Sequence, residues 1–585
     1  MRERKAKIVC TLGPTSNDPG TVQDLAAAGM SVARLNASHG TTEDRRELVE
    51  VVRAVDESST RPVAVLLDLP GPEVRTATTD GVVHLEAGEI VRFVPDDVVG
   101  ADVVGLSTSI AATEPGDVVM LDDGRIEATV TGVDGDEVTA TVDSGGDLEG
   151  RTGVNVPGVD LGLPMVTDAD RAELDLVAEV GVDFVAASFV RTAEDVIEIS
   201  AELEERGADV PVIAKIERAG AVENLEAIIE AAYGIMVARG DLGVECPLED
   251  VPMIQKRIIR RCHHDGTPVI TATEMLDSMV HERRPTRAEA SDVANAVLDG
   301  TDALMLSAET AVGDHPVRVV ETMARIVADV EASEEYDELR EQRVPPAADT
   351  RTDGLARSAR FLARDLGATA VVAASESGYT ARKAAKYRPS MPIVASTPRE
   401  SVRRQLALTW GIIPRHASLD ADSADALIKD AVQAALDADV AAGGDTVVVL
   451  SGMMTELEGL DTANMLKVHV ASETLASGRS VVAGVVTGPL HPVGDGDLGD
   501  LPEGAVLAVP ASFDGEFSGD LSSLGGIVDA HGGMTGYAAI IARELGIPMV
   551  CDVDLPEALE AGRRVTLDAE RGVLYAGDVT ARGRP

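Results

Sequence analysis

The sequence predicts an α/β protein built around a (β/α)8 TIM-type barrel, and three observations predict it. Eight short apolar runs recur between residues 7 and 310, separated by amphipathic stretches of helical period. A long segment of different texture interrupts them after the third run. The second to eighth runs carry polar residues at their ends, as expected of a parallel barrel whose functional face lies at the C-terminal strand ends.

The runs are KIVCTL (7–12), SVARLN (31–36), PVAVLLD (62–68), DFVAASFV (183–190), PVIAKIE (211–217), GIMVARGDL (234–242), PVITATEM (268–275) and ALMLSAET (303–310). Near-continuous apolar strands alternating with helices indicate a parallel sheet covered on both faces. The eight are assigned to one barrel over residues 1–70 and 155–335. The interruption, residues 71–154, contains VVHLEAGEIVRFV, DVVMLDDGRIEATV and DEVTATVDSGG, alternating segments divided by Gly and Asp turns. It predicts a small antiparallel β domain, with GVNVPG (153–158) as the return hinge. An acidic, proline-containing linker is expected over 331–349. Residues 345–472 predict an α/β domain with strands at ATAVVAAS, MPIVAST and DTVVVLSG. Residues 473–585 form a fourth, strand- and glycine-rich domain with a helix-like YAAIIARELGIPMV.

Lys and Arg total 51 against 100 Asp and Glu, a net charge of −49. Nucleic-acid and anionic-membrane partners are excluded, because phosphate binding needs a positive footprint. A 45% hydrophobic content supplies several cores and excludes disorder. No apolar run reaches the roughly 18 residues a membrane helix needs, and MRERKAKIVCTLGP lacks the features of a signal peptide. Cys10, Cys246, Cys262 and Cys551 are scattered without metal-ligand spacing and read as core residues of a reduced cytoplasm. Only eight of the 51 basic residues are lysine, and aromatics are 2%. With the acidity spread along the chain, this predicts a salt-adapted (halophilic) protein. In molar salt the Debye length falls to about 3 Å, so surface carboxylates scarcely repel.

The run ends carry the candidate chemistry: Arg34, Asn36, Ser38 and His39; Asp68; Ser188; Lys215 and Glu217; Arg239 and Asp241; Thr273; Ser307 and Glu309. Lys215 stands out. Between Ala214 and Ile216 in an apolar strand, its charge needs a partner or a ligand anion. Glu217 shares its strand face and Asp241 falls on the neighbouring run. Two carboxylates beside a lysine suit a divalent cation bridging an anionic substrate, or else an internal ion-pair network.

Ten motifs in one order resemble the pyruvate kinase family: KIVCTLGPTS, SVARLNASHG, LLDLPGPEVRT, GVNVPG, AASFVRTAEDV, VIAKIE, GIMVARGDLGVE, ITATEMLDSM, RPTRAEASDVANAVLDGTDALMLSAET and TANMLKVHV. The resemblance spans residues 1 to about 470. It implies a glycolytic enzyme transferring a phosphoryl group from phosphoenolpyruvate to ADP, giving pyruvate and ATP. It implies Lys215, Arg34 and Thr273 as catalytic residues, with Ser188 and the Gly240 and Asp241 amides completing the substrate site. It further implies Mg2+ (or Mn2+) at Glu217 and Asp241. K+ is implied at Asn36, Ser38, Asp68 and the Leu69 carbonyl, and nucleotide phosphates near Asn36, His39 and Arg75. Glu73 marks members that depend on K+, although Leu69 and Pro70 replace the Thr-Lys usual beside it. The inserted β domain is implied to close as a lid over the nucleotide. Thr152 stands where a lysine is frequent, with Arg151 adjacent as a substitute contact. Ala308 and Tyr233 also depart from the family's Gly and Asp, as packing changes. The α/β domain is implied to bind a phosphorylated or nucleotide effector at ESGYTARK (376–383), and the assembly to be a homotetramer.

The C-terminal segment VDAHGGMTGYAAIIARELGIPMV resembles the swivelling phosphohistidine domain of phosphoenolpyruvate-utilising enzymes. Tyr537 occupies the place of the carrier histidine, and a tyrosine hydroxyl of ordinary pKa near 10 is no equivalent phosphoryl carrier. His531 lies six residues earlier. Two rival functions follow, a phosphoenolpyruvate-dependent histidine-relay phosphotransferase and a catalytically dead regulatory scaffold. Tyr537 counts against the first, and the intact set Arg34, Lys215, Glu217, Asp241 and Thr273 against the second.

Overall fold

Along the first barrel strand (Lys7–Thr11), Val9 faces inward while Ile8 and Cys10 face the surrounding helices. The same two-residue alternation recurs in every barrel strand of the computed structural model. Residues 4–79, 81–418, 424–452, 463–472, 474–494, 496–499, 501–555 and 560–580 are described. The chain divides into two units, residues 1–346 with 401–414, and residues 347–400 with 415–585.

In the first unit, eight strands close a barrel in the order 1-8-7-6-5-4-3-2, every pair parallel. The remaining strands are Val32–Asn36, Ala64–Asp68, Phe184–Ala187, Val212–Ile216, Gly234–Ala238, Val269–Ala272 and Ala303–Leu306. The eight apolar runs therefore become the eight strands. Val9, Val32, Leu66, Phe184, Ile213, Met236, Ile270 and Met305 fill the interior, with Ala407 and Leu408 packed against the same cluster. The next inward position on four strands is polar, Thr11, Arg34, Asp68 and Lys215, and on the fourth strand Ser188 follows inward-facing Ala186 just past the strand end. The site is thus one pleat above the core, built by the period that builds the core.

Residues 71–154 form a seven-stranded, mainly antiparallel sheet with a two-stranded ribbon beside it. Val91, Phe93, Val119, Ile126 and Val138 make its own core. The segment expected as linker differs from expectation. Ser333 caps a helix over Glu334–Gln342, whose first-turn carboxylates suit the helix dipole. Tyr336 anchors it, buried and accepting a hydrogen bond from Trp410 Nε1 at 3.0 Å.

In the second unit, strands Ile393–Thr397, Ala370–Ala374 and Thr446–Ser451 run parallel, and Met465–Val470 adds antiparallel. The described C-terminal residues form an eight-stranded mixed sheet, with an α-helix over Tyr537–Leu545.

Candidate active site

Lys215 sits at the centre of the barrel mouth, its side chain 12% exposed. Its Nζ lies 2.8 Å from Glu217 Oε1, donates to Ser188 Oγ at 2.8 Å and lies 3.3 Å from Asp68 Oδ1. Burial works against the ammonium charge, but Asp68 and Glu217 outweigh it and raise the lysine pKa. Lys215 is a fixed cation. Asp68 is buried too, which disfavours its charge, yet Lys215 and Arg34 hold its carboxyl below the usual range.

Arg34 donates from Nε to Asp68 Oδ2 at 2.7 Å and from Nη1 to Thr11 Oγ1 at 2.9 Å. Ser188 Oγ donates to the Leu69 carbonyl at 2.7 Å. Glu217 Oε2 accepts the Phe189 N–H at 2.6 Å. Gly71 keeps this corner tight. Its φ is +70°, and a Cβ there would meet Ser188 Cβ at 2.9 Å.

Arg239 and Asp241, expected at a strand end, instead lie on a short helix (Arg239–Glu245) that begins where the sixth strand stops. Burial, then the Glu217 carboxylate, push the Asp241 acid up to about 7, with Lys215 opposing. Two carboxylates sharing one lysine lack a positive charge, and their hard oxygens would suit a divalent cation. Among the described residues, no cluster of three or more His, Cys, Asp or Glu has metal-holding geometry. Thr273 follows the seventh strand, and its Oγ1 accepts the Gly240 N–H at 2.9 Å.

A cavity of about 1060 Å3 opens here, lined among others by Arg34, Asn36, His39, Lys215, Asp241 and Thr273, while Asp68, Ser188 and Glu217 stand behind Lys215 outside its lining. Asn36 pairs in register with Asp68, and its Oδ1 accepts the Ser38 N–H at 3.2 Å. Arg45 supports this edge from below. It donates to the His39 carbonyl at 2.7 Å while binding buried Glu173 through two nitrogens, at 2.7 and 2.5 Å. Sequence reasoning missed that pair, because its members lie 128 residues apart. Ser307 also lines the cavity. Glu309 lies beneath, accepting the Leu276 and Ser307 N–H groups at 3.1 and 2.6 Å.

Arg75 stands outside the cavity lining, at the root of the inserted domain. It pairs with Glu73 at 2.7 Å and donates to the Arg151 carbonyl at 3.1 Å. Burial pushes the Glu73 carboxyl up, with Arg75 opposing. Arg151 thus approaches Arg75 through its backbone, and Thr152 Oγ1 donates to the Glu149 carbonyl at 2.6 Å.

In the second unit, ESGYTARK is a strand-to-helix loop. Ser377 Oγ accepts the Tyr379 N–H at 3.3 Å as the helix Tyr379–Lys386 begins. In the C-terminal sheet, Tyr537 opens its helix and tilts against Phe517, ring centroids 5.5 Å apart. His531 Nδ1 is held by Asp529 Oδ1 at 2.8 Å and its Nε2 is shut off from solvent.

Comparison with known proteins places the chain among its relatives. Residues 3–320 match the family described as "Pyruvate kinase, barrel domain", and 353–469 match "Pyruvate kinase, alpha/beta domain". Residues 501–572 match "PEP-utilising enzyme, mobile domain". The chain is 40% identical over 584 residues to a pyruvate kinase of Sporosarcina psychrophila, covering 98% of this chain and 99% of that one. It is 41% identical over 590 residues to a pyruvate kinase of Geobacillus stearothermophilus, with the same coverage. A crystal structure of a pyruvate kinase from Cryptosporidium parvum superposes with a TM-score of 0.74 at 33% identity, over 80% of this chain and 96% of the other. Matched on its barrel, on its α/β domain and over nearly its whole length, the chain belongs to the pyruvate kinase family.

Proposed function

We propose that Lys215, Arg34 and Thr273 carry the reaction this enzyme performs in glycolysis, phosphoryl transfer from phosphoenolpyruvate to ADP to give pyruvate and ATP. The observation that supports this most is the fixed Lys215 ammonium, held by Asp68, Glu217 and Ser188 at the mouth of the cavity. Phosphoryl transfer asks mainly for positioning and for cations where negative charge moves. Lys215 neutralises the transferring group between donor and acceptor oxygens. Arg34, oriented by Asp68, presents its remaining guanidinium nitrogens to the donor phosphate. The Thr273 hydroxyl, with the Gly240 and Asp241 amides, grips the carboxylate of phosphoenolpyruvate, and Ser188 keeps Lys215 aimed.

Glu217 and Asp241 hold Mg2+ (or Mn2+), which supplies Lewis-acid charge to the substrate oxygens. Asn36, Ser38, Asp68 and the Leu69 carbonyl hold K+, a set of oxygen donors on adjacent strand ends. Asn36, His39 and Arg75 receive the nucleotide phosphates, and the inserted β domain closes over them to exclude water. The loop 376–383 takes a phosphorylated or nucleotide effector, in a homotetramer working in the cytoplasm of a salt-adapted cell. Supporting salt adaptation is the evenly spread charge of −49.

The test is a coupled pyruvate-formation assay in molar KCl with Mg2+, with K+, Na+ and the divalent ion varied independently. Activity is expected to need the divalent ion and to fall when K+ is replaced by Na+. Absence of ATP formation from phosphoenolpyruvate and ADP contradicts the reading.

A further inference from the structure

Thr273 and Glu274, directly after the seventh barrel strand, both have left-handed backbone, with φ of 65° and 51°. Two successive residues with side chains, one of them β-branched, occupy this region only when their surroundings over-determine it. One side chain from the neighbouring strand end does so. Arg239 donates from Nη2 to the Thr273 carbonyl at 2.5 Å and from Nε to the Ala272 carbonyl at 3.1 Å. Its Nη2 also lies 3.0 Å from Met275 Sδ. The guanidinium is fixed from behind by Asp292, whose Oδ2 accepts from Nη1 at 2.5 Å. A planar fork can hold two successive carbonyls and an anchoring carboxylate at once, which an ammonium cannot.

The Thr273 hydroxyl accepts the Gly240 N–H and donates to the Ala272 carbonyl at 2.8 Å. To give its proton to a substrate carboxylate it must leave Ala272 O. Without a second donor, that carbonyl on a fully buried residue would lose its side-chain partner, a costly exchange. Arg239 Nε already bonds it.

We propose that Arg239, anchored by Asp292, is a positioning residue for the carboxylate end of phosphoenolpyruvate. It locks the left-handed Thr273–Glu274 turn and keeps Ala272 O satisfied, so that the Thr273 hydroxyl is free to turn to substrate. This rests on the reading that Thr273 grips the carboxylate. It adds a residue that never touches substrate but selects for its carboxylate end.

The experiment compares Arg239→Gln, Arg239→Lys, Asp292→Asn and Thr273→Ala in the full chain with Mg2+ and KCl. KM for phosphoenolpyruvate and for ADP are measured separately, with thermal melting alongside. Arg239→Gln is expected to raise KM for phosphoenolpyruvate about 10- to 100-fold, the scale set by small misplacements, while KM for ADP changes less than about threefold. Arg239→Lys should rescue only part of the loss, and Asp292→Asn should move in the same direction by a smaller factor. In the Thr273→Ala background, Arg239→Gln should add little. A merely structural role would lower the active fraction and the melting temperature while leaving both KM values alone, and that result overturns the proposal. So do equal shifts in the two KM values, or effects of Arg239→Gln and Thr273→Ala that simply multiply. If Arg239→Gln does not fold, Asp292→Asn gives the same KM comparison and decides by the same criteria. An unchanged KM for phosphoenolpyruvate in Thr273→Ala alone overturns instead the assignment of Thr273.

Discussion

Lys215 and Glu217 leave the fifth barrel strand on the same face and meet at 2.8 Å, Nζ to Oε1. The spacing follows from the strand period, which returns every second side chain to the barrel interior. Glu217 is pinned at its other oxygen by the Phe189 N–H. The lysine is therefore aimed by a carboxylate that is also the nearest candidate ligand for a divalent ion.

Replacing Glu217 with Gln keeps the shape and removes the charge. Activation by Mg2+ is expected to weaken by at least about 10-fold, since even partners outside the ligand set commonly cost that much. A titration of activity against Mg2+ measures it. An unchanged midpoint would remove Glu217 from the metal site.

Arg45 and Glu173 form a buried ion pair that also holds the His39 carbonyl. Glu173→Gln strands the guanidinium charge in the interior and is expected to cost about 3–5 kcal/mol of stability. Because His39 lines the cavity, KM for ADP should rise while KM for phosphoenolpyruvate holds. Denaturant unfolding with steady-state kinetics checks both, and an unchanged stability contradicts the account of the pair.

Asp353 and Lys386 pair at 2.7 Å in the second unit, with Asp353 fully buried. Burial disfavours the carboxylate, but the lysine and nearby N–H groups outweigh it and hold its pKa below the usual value. A depressed carboxyl stabilises the fold above its unfolded pKa, about 4, and loses that contribution as pH falls through the lower folded value. Asp353→Asn should therefore destabilise the protein at pH 7, and the gap to wild type should shrink below about pH 4. Denaturant midpoints at a series of pH values test this. A gap that widens on acidification gives the opposite sign.

How far the sequence reveals the site depends on the kind of information each residue carries. The run PVIAKIE becomes the strand Val212–Ile216, and its lysine is conspicuous because an apolar run has no other use for one. Period-two patterning likewise makes Arg34, Asp68 and Ser188 legible. The helix Glu334–Gln342 was hidden by its charge, since its anchor is Tyr336 meeting Trp410, 74 residues away. Its one local signal was Ser333 before an acidic first turn. The left-handed backbone of Thr273 has no local signature at all, because Arg239 holds it from the short helix that follows the sixth strand. Local pattern specifies strands and their faces; pairings distant in sequence specify how the groups at their ends are held.

The most direct test of the account is single-turnover pyruvate formation by Lys215→Met, with binding of phosphoenolpyruvate and Mg2+ followed separately. Methionine keeps much of the volume and removes the charge. A cation at the moving charge is worth at least about 1000-fold in rate. Turnover is expected to fall by that factor or more while phosphoenolpyruvate still binds. Turnover within about 10-fold of wild type would contradict the central role given to Lys215.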